Sequence, residues 1–400
     1  VKLRAYAGVL ADAVAHVARA LPTRAPVPVL AGILLTTGPD GLSLAAYDYE
    51  SVATCRLTAE IADDGTVLVP GRLLTEIAKA LPKGAEVDIE LSGTRLLVTS
   101  GSARFTLPTL PVEEYPALPP VPDTVLTITA DAFADAVGQC APAAGTDDSL
   151  PVLTGVLLTL EGEKLTLAGT DRYRFAMREI AVQPTGTVPA EPKRSGKKKE
   201  KKDQADDAVL CTALVPAKWL TDASKALAGE HQLSIGWHDG QLTFTVPGSR
   251  TIGTRLLEGD FPRFRGLMPD PADAAMTLTI PVDEALAAIK RVALVVDDKR
   301  PIRLTHEDDQ LLLDAGDGDD AHAADRIPCN ATGALTEGRE GCDIAFKPAY
   351  LVTALQALTA PEARLHLTHP HKPALITGYS GGPTEDGYEH LLMPIRLNAS

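Results

Sequence analysis

The sequence predicts an α+β protein made of three copies of one domain, each with two helices packed on antiparallel sheets. Three observations point there. Residues 28–50, PVLAGILLTTGPDGLSLAAYDYE, align without a gap to residues 151–173, PVLTGVLLTLEGEKLTLAGTDRY, with 11 of 23 positions identical. Self-similarity over so long a period marks a repeat architecture. A second motif recurs as LVPGRLLTEIAKAL at 68–81, LVPAKWLTDASKAL at 214–227 and AFKPAYLVTALQAL at 345–358. Runs of strands with two helices per unit indicate α+β, not a doubly wound parallel sheet.

In chain order, each unit opens with a helix, at 8–20, 130–140 and 281–292, where apolar residues recur at helical spacing. A β-hairpin follows, alternating apolar and polar residues around a Gly/Asp turn. The third hairpin, RPIRLTHEDDQLLLDAG at 300–316, is a weaker copy that keeps the L-T, a five-residue turn and the L-x-L. The second helix starts with Pro near its first turn, where a backbone N–H would lack an intrahelical partner anyway. Closing strands recur as RLLVTSGSARFTLPTL, QLTFTVPGSRTIGTRLL and the tail ending HLLMPIRL. Pro-rich links, PALPPVPDT at 116–124 and MPDPAD at 268–273, set the expected domains at 1–121, 122–270 and 271–400. Within the second, 184–207 carries seven Lys/Arg and five Asp/Glu with almost no aliphatic residue, and reads as a solvated mobile loop between two strands.

Composition narrows the function. At 400 residues, 45% hydrophobic and 23% charged, the chain is neither collagen-like nor wholly disordered. It has no run of about 20 apolar residues for a membrane span and no secretory signal pattern, so a cytoplasmic location without membrane contact is expected. The five cysteines form no CxxC pair and predict neither a disulfide framework nor a zinc site. A net charge of −15 opposes indiscriminate nucleic-acid binding but leaves room for a local basic surface. No GxGxxG follows a strand, and SGKKK lacks phosphate-loop spacing. His366, His369 and His371 sit in a Pro-containing turn, and Asp314, Asp317, Asp319 and Asp320 lack the Gly and terminal Glu of a calcium loop. No catalytic residue, cofactor or metal is expected. A β-rich metal-dependent hydrolase using these loops is the remote alternative.

Five motifs then appear in order on the threefold repeat: PVLAGILL, SARFTLPTLPVEEYPALP, TDRYRFA, FPRFRGLMP and MPIRL. With them the chain resembles the bacterial β sliding clamp family, the β subunit of DNA polymerase III, of high-GC actinobacterial type. The resemblance implies clamp-type domains in a head-to-tail homodimeric ring around double-stranded DNA, bound without regard to sequence. It implies a non-catalytic processivity factor of the polymerase holoenzyme. Its partners would be the DNA polymerase III α subunit, the clamp loader and other proteins carrying the clamp-binding motif, with peptide inhibitors as further ligands.

A sliding contact has to attract phosphates without reading bases. Arg72, Glu76, Lys79 and Lys83 fall on one helical face, with Leu73, Ile77 and Leu81 opposite, and Lys218, Asp222 and Lys225 repeat the pattern. Arg19, Arg24, Lys290 and Lys299 complete the expected DNA-facing set, Arg24 and Arg72 matching family DNA contacts. The plain alternative is a solvated face with i,i+4 pairs. Asp147 and Asp148 precede the second hairpin and are poor phosphate partners.

By the same resemblance, a pocket for the short linear motif of clamp-binding proteins comprises Leu153, Thr170, Arg172, Tyr173, Arg174, Phe175, Pro262, Leu267, Leu391, Met393, Pro394, Ile395, Arg396 and Leu397. An apolar groove with a flexible Met and a cationic rim suits apolar anchors and a polar Gln. Arg172 and Tyr173 replace a Gly-His pair, Gly266 stands where an Arg can occur, and Asn398–Ser400 extend the tail. These departures leave open a specialised second copy with an altered pocket, such as one conferring inhibitor resistance. For the dimer, the resemblance places Arg104, Phe105 and Leu107 on an edge strand that pairs with the partner near Leu294 and Val295; plain core positions are the alternative.

Overall fold

The computed structural model describes residues 1–185, 209–238, 240–264, 266–296, 300–316, 321–335, 343–382 and 387–396. Among them are six α-helices: α1 (Ala7–Val17), α2 (Gly71–Ala80), α3 (Ala130–Cys140), α4 (Ala217–Ala226), α5 (Val282–Val292) and α6 (Pro348–Gln356). They are the six helices read from the repeats. None of the described helices is long and apolar enough to cross a membrane.

The chain divides into two compact units, and the middle repeat contributes to both. Unit 1 (Val1–Asp131, Val182–Arg194 and Ala223–Leu256) holds two antiparallel sheets. The first runs Glu60–Asp63, Lys2–Tyr6, Glu86–Ser92, Arg95–Ser100, Ala103–Pro108. The second has nine strands: Gln183–Pro184, Thr124–Thr129, Gln232–His238, Gln241–Val246, Arg250–Arg255, Ser51–Leu57, Gly41–Tyr47, Gly32–Gly38, Gly65–Pro70. Its seam is the pairing of Arg250–Arg255 with Ser51–Leu57, which joins strands of the second repeat to strands of the first. Helices α1 and α2 pack on each other and on this sheet, burying Leu10, Val14, Val17, Leu74 and Ile77.

Unit 2 (Ala132–Ala181, Ser195–Asp222 and Leu257–Ser400) has the same plan. A nine-stranded sheet runs Val209–Pro216, Gly155–Glu161, Lys164–Thr170, Arg174–Ala181, Tyr388–Leu392, Ala374–Tyr379, Glu362–Leu367, Met276–Pro281, Asn330–Gly333. Its seam pairs Arg174–Ala181 with Tyr388–Leu392. A four-stranded sheet, Ala323–Pro328, Gln310–Ala315, Ile302–Glu307, Asp343–Phe346, completes the unit. Helices α5 and α6 pack over a core that includes Leu278, Ile289, Leu304, Phe346, Leu355 and Tyr388.

Three sequence expectations need correction. All three hairpins reverse over two residues, with Gly38 opposite Gly41, Glu161 opposite Lys164 and Glu307 opposite Gln310. The third therefore lacks a five-residue turn. Asp308 (φ 43°) and Asp309 (φ 57°) are both left-handed, as tight hairpin turns of matching twist require. The buried stripe of α2 is Gly71, Leu74, Ile77 and Ala78, while Leu73 is 39% exposed. Lys83 lies outside the helix, because Pro82 forces Leu81 into extended backbone (ψ 143°) and ends α2 at Ala80.

Candidate functional site

In unit 2 the chain passes from strand Lys164–Thr170 to Arg174–Ala181 through the corner Asp171-Arg172-Tyr173. The Asp171 Oδ1 accepts the backbone N–H groups of Tyr173 (3.0 Å) and Arg174 (3.1 Å), and Oδ2 accepts from Arg174 Nε (3.0 Å). Thr170 Oγ1 donates to the Arg174 carbonyl (2.7 Å) and accepts from the Arg172 N–H (3.2 Å). Closing so tight a corner puts Arg172 at φ 83°. Unit 1 repeats the device: Asp48 Oδ1 accepts from Glu50 N (3.0 Å) and Ser51 N (2.7 Å), with Tyr49 at φ 74°. The repeat read in sequence is thus also a repeat of backbone hydrogen bonds.

Beside the second corner is a cleft of about 290 Å³. Leu153, Arg172, Tyr173 and Arg174, all expected from sequence, line it together with residues that sequence reading missed: Ala144–Asp147, Leu150, Asp171, Lys347 and Tyr350. The Arg174 side chain is only 13% exposed; its guanidinium lies 4.6 Å from the centre of the Tyr350 ring, a cation–π contact. Burial pushes the Tyr350 phenol above its ordinary pKa, and the Asp171 carboxylate adds to the shift. Tyr350 could have been found: it stands where Leu73 and Trp219 stand in the other helix repeats, a large side chain off the buried stripe.

The neighbouring residues divide by sheet face, since successive side chains in a strand point oppositely. Phe175, opposite Leu391 in the ladder, stacks on Phe264 (4.9 Å between ring centres, 29°). Leu267 (67% exposed) bonds through its N–H to the Phe264 carbonyl, and Met393 (42% exposed) through its N–H to the Tyr173 carbonyl. Pro262 and Arg396 are exposed, and Pro394 and Ile395 half-buried, with the Ile395 N–H donating to the Ala345 carbonyl. Thr170 and Leu391 are buried, so the first supports the corner and the second underlies the surface. Leu397 and the extension Asn398–Ser400 lie outside the described residues. On the other face, beside Arg174, Tyr388 Oη and His390 Nδ1 share a buried 2.7 Å hydrogen bond. Burial, with Arg174 nearby, holds the His390 pKa down to about 3.

Of the expected DNA-facing cations, Arg19, Arg24, Arg72, Lys79, Lys83, Lys218, Lys225 and Lys290 are all exposed. Arg72 also donates to the Thr23 carbonyl (2.6 Å), which ties the loop bearing Arg24 to α2. Lys299 lies outside the described residues, as does the Lys-rich insert beyond Thr185. On the expected dimer edge, Arg104 is exposed and Phe105 half-buried, but Leu107 is fully buried. Alternation along Ala103–Pro108 turns the Leu107 side chain into the core of its own unit, while its strand stays at the sheet edge. Leu294 is 84% exposed and Val295 half-buried, just after α5. Helix α5 packs on the edge strand Ala323–Pro328 and is tied to it by Arg291, which sequence reading also missed, through its 2.6 Å ion pair with Asp325.

The histidine cluster comes apart in the fold. His366 is buried in its strand, with Nε2 3.0 Å from Thr377 Oγ1, whereas His369 and His371 share the following turn. Among the described residues no three His, Cys, Asp or Glu side chains gather as a metal site. Part of the acidic run, Asp317, Asp319 and Asp320, lies outside those residues.

Comparison with known proteins accounts for this architecture. The chain matches the DNA polymerase III beta subunit family in three parts: the N-terminal domain over residues 1–119, the central domain over 127–190 and the C-terminal domain over 268–396. It is 44% identical to the beta sliding clamp of Streptomyces coelicolor, with 99% of this chain and 100% of that one aligned. It is 36% identical to the beta sliding clamp homolog GriR of Streptomyces muensis over 98% of each chain. The fold superposes on the Pseudomonas aeruginosa clamp, solved with griselimycin bound, with a TM-score of 0.86, 24% identity and 99% coverage of both chains. The repeated corners, the two sheet seams and full-length identity to clamps converge: the chain belongs to the beta sliding clamp family, the non-catalytic processivity subunits of DNA polymerase III.

Proposed function

We propose that two copies of this chain close head to tail into a cytoplasmic ring around duplex DNA. The ring tethers the DNA polymerase III α subunit, the clamp loader and other motif-bearing proteins through the cleft beside Arg174. The observation that carries the peptide reading is that cleft: a space of mixed apolar and charged lining with a nearly buried Arg174 clamped between Asp171 and Tyr350. Fixed polar groups orient a ligand, and the exposed Leu267 and Met393 nearby offer adaptable apolar surface for its anchors. Peptide inhibitors would compete for the same surface.

The ring reading draws support from a rule of strand pairing. In each unit the closing strand of one repeat joins the strand that follows the hairpin of the preceding repeat: Arg250–Arg255 on Ser51–Leu57, and Tyr388–Leu392 on Arg174–Ala181. That rule leaves Ala103–Pro108 and Ala323–Pro328 as edges without their counterpart. Both show the same alternation of exposure, and both are six residues long. Pairing them between copies would continue the rule twice and remove both of these open edges from each copy, with Arg104 and Phe105 of one copy near Leu294 and Val295 of the other. The exposed cations of the helices would then hold phosphates by charge alone, which permits sliding.

The test is a fluorescence-anisotropy titration with a labelled Gln-Leu-x-Leu-Phe-type peptide, beside a control with its Gln and apolar anchors changed to Ala. Light scattering is run on the same sample. Binding by a dimer, lost with the control, is expected. A monomer that binds neither peptide would defeat the reading. A folded dimer that binds neither would favour the second reading, a specialised copy with an altered pocket, for which Arg172 and Tyr173 in place of Gly-His are the motivating observation.

A further inference from the structure

Arg172 poses a question that the fold alone does not answer. Its left-handed φ of 83° is a conformation natural to glycine and unfavourable for other residues. The equivalent corner in unit 1 is also left-handed, at Tyr49. The corner demands the conformation, then, but not the side chain, and at position 172 the chain carries a cation where glycine would be at ease.

The charges lining the cleft are unequally committed. Asp171 spends both oxygens on the corner and on Arg174. Hydrogen bonds from the Ser149 side chain and from its N–H (to Oδ1, 3.0 Å), with Arg172 nearby, hold the Asp147 carboxyl below the ordinary range. Arg174 is satisfied by Asp171. Arg172 and Lys347 remain: within the described residues neither makes an ion pair or side-chain hydrogen bond. Each instead sits against an aromatic ring, Arg172 5.9 Å from the Tyr173 centre and Lys347 4.9 Å from that of Tyr350. Lys347 also stands at the start of α6, so the positive end of the helix dipole has the same sign. Three cations against two already engaged carboxylates give the cleft a net positive character on a chain of net charge −15.

We propose that Arg172, with Lys347, makes this cleft selective for clamp-binding peptides that carry an acidic side chain, Asp or Glu, next to the apolar anchors. The inference rests on reading the cleft as the peptide site. A guanidinium can meet a carboxylate with two parallel hydrogen bonds, which an amide or a lysine side chain on the peptide cannot replace. The ring contacts pre-orient both cations and reduce what is lost when the carboxylate docks.

The experiment uses the full-length chain and two labelled peptides with identical Gln-Leu-x-Leu-Phe-type anchors. One has Glu next to the anchors, on either side in turn, and the other Gln at the same place. Preference for the Glu peptide by about fivefold, the size of one ion pair at a partly exposed site, is expected. The preference should shrink at high salt, fall in Arg172→Gly, vanish when Lys347→Ala is added, and return in part in Arg172→Lys. Glycine is the residue best suited to φ 83°, so a thermal melt of Arg172→Gly no lower than that of the parent keeps the comparison clean. Equal affinities for the two peptides would overturn this inference while leaving the cleft as the peptide site. A preference that survives Arg172→Gly and Lys347→Ala would overturn the assignment to these side chains. Failure of both peptides to bind would overturn the cleft reading and this inference together.

Discussion

Arg174 joins the two halves of the candidate site: its backbone closes the corner on Asp171, and its guanidinium reaches the Tyr350 ring. Replacing it with Ala removes a nearly buried charge-assisted hydrogen bond and leaves Asp171 Oδ2 unpaired, a change of about 1.5–3 kcal/mol. Arg174→Ala should weaken peptide binding at least tenfold in the anisotropy titration, with the dimer intact by light scattering. His390 makes a prediction about acid. Its folded pKa of about 3 lies below the ordinary 6.5, and burial lowers His16 and His366 in the same direction. Between those values the unfolded chain binds protons that the folded one refuses, so stability is complete above about pH 6.5 and is lost as pH falls toward 3. His390→Gln should flatten that part of the curve of melting temperature against pH, relative to the parent. An unchanged slope would show that the imidazole is not the group responsible.

At the scale of elements, the edge strand Ala103–Pro108 separates two roles within three residues. Leu107 is fully buried and Phe105 only partly so. Leu107→Ala should destabilise the fold by about 2–5 kcal/mol, the usual cost of emptying a buried leucine site, visible as a lower denaturation midpoint. Phe105→Asp should instead lower the fraction of dimer in sedimentation at micromolar protein, with a smaller change in midpoint. If both variants lost stability alike and neither changed association, the pairing of this edge with Ala323–Pro328 of a second copy would be wrong. Helix α2 shows how one residue redirects an element's use. Pro82 stops it at Ala80, so Lys83 leaves the helical face and enters the turn, where its carbonyl accepts the Gly8 N–H.

For the whole molecule, the distribution of charge is the functional quantity. On the proposed reading, in which spaced exposed cations face DNA, an acidic chain should keep DNA by topology, not by tight contact. Chains loaded on nicked circular DNA should therefore stay bound at salt that strips them from the same DNA once linearised. Changing Arg72 and Lys79 to Ala together should reduce the salt-sensitive part of retention on linear DNA without altering ring closure, as measured by electrophoretic retention across a salt series. Rapid loss from circular and linear DNA alike would argue against encirclement.

Much of this was legible in the chain before any coordinates. Periodicity and self-similarity specify local structure because hydrophobic spacing, Pro at helix starts and Gly/Asp turns act over a few residues. The α+β class, the six helices, the hairpins and the family resemblance all follow from such patterns. TDRYRFA likewise marked the corner of the site. Other properties depend on which distant segments meet, and only the tertiary structure decided them. Tyr350 and Lys347 come from a helix more than 170 residues beyond the corner they face. Leu73 is exposed and Leu107 buried because burial depends on what packs above a strand or helix, not on hydrophobicity alone. The uncommitted charge of Arg172 emerges only after every neighbouring carboxylate has been assigned its partner, and those partnerships are set by long-range packing.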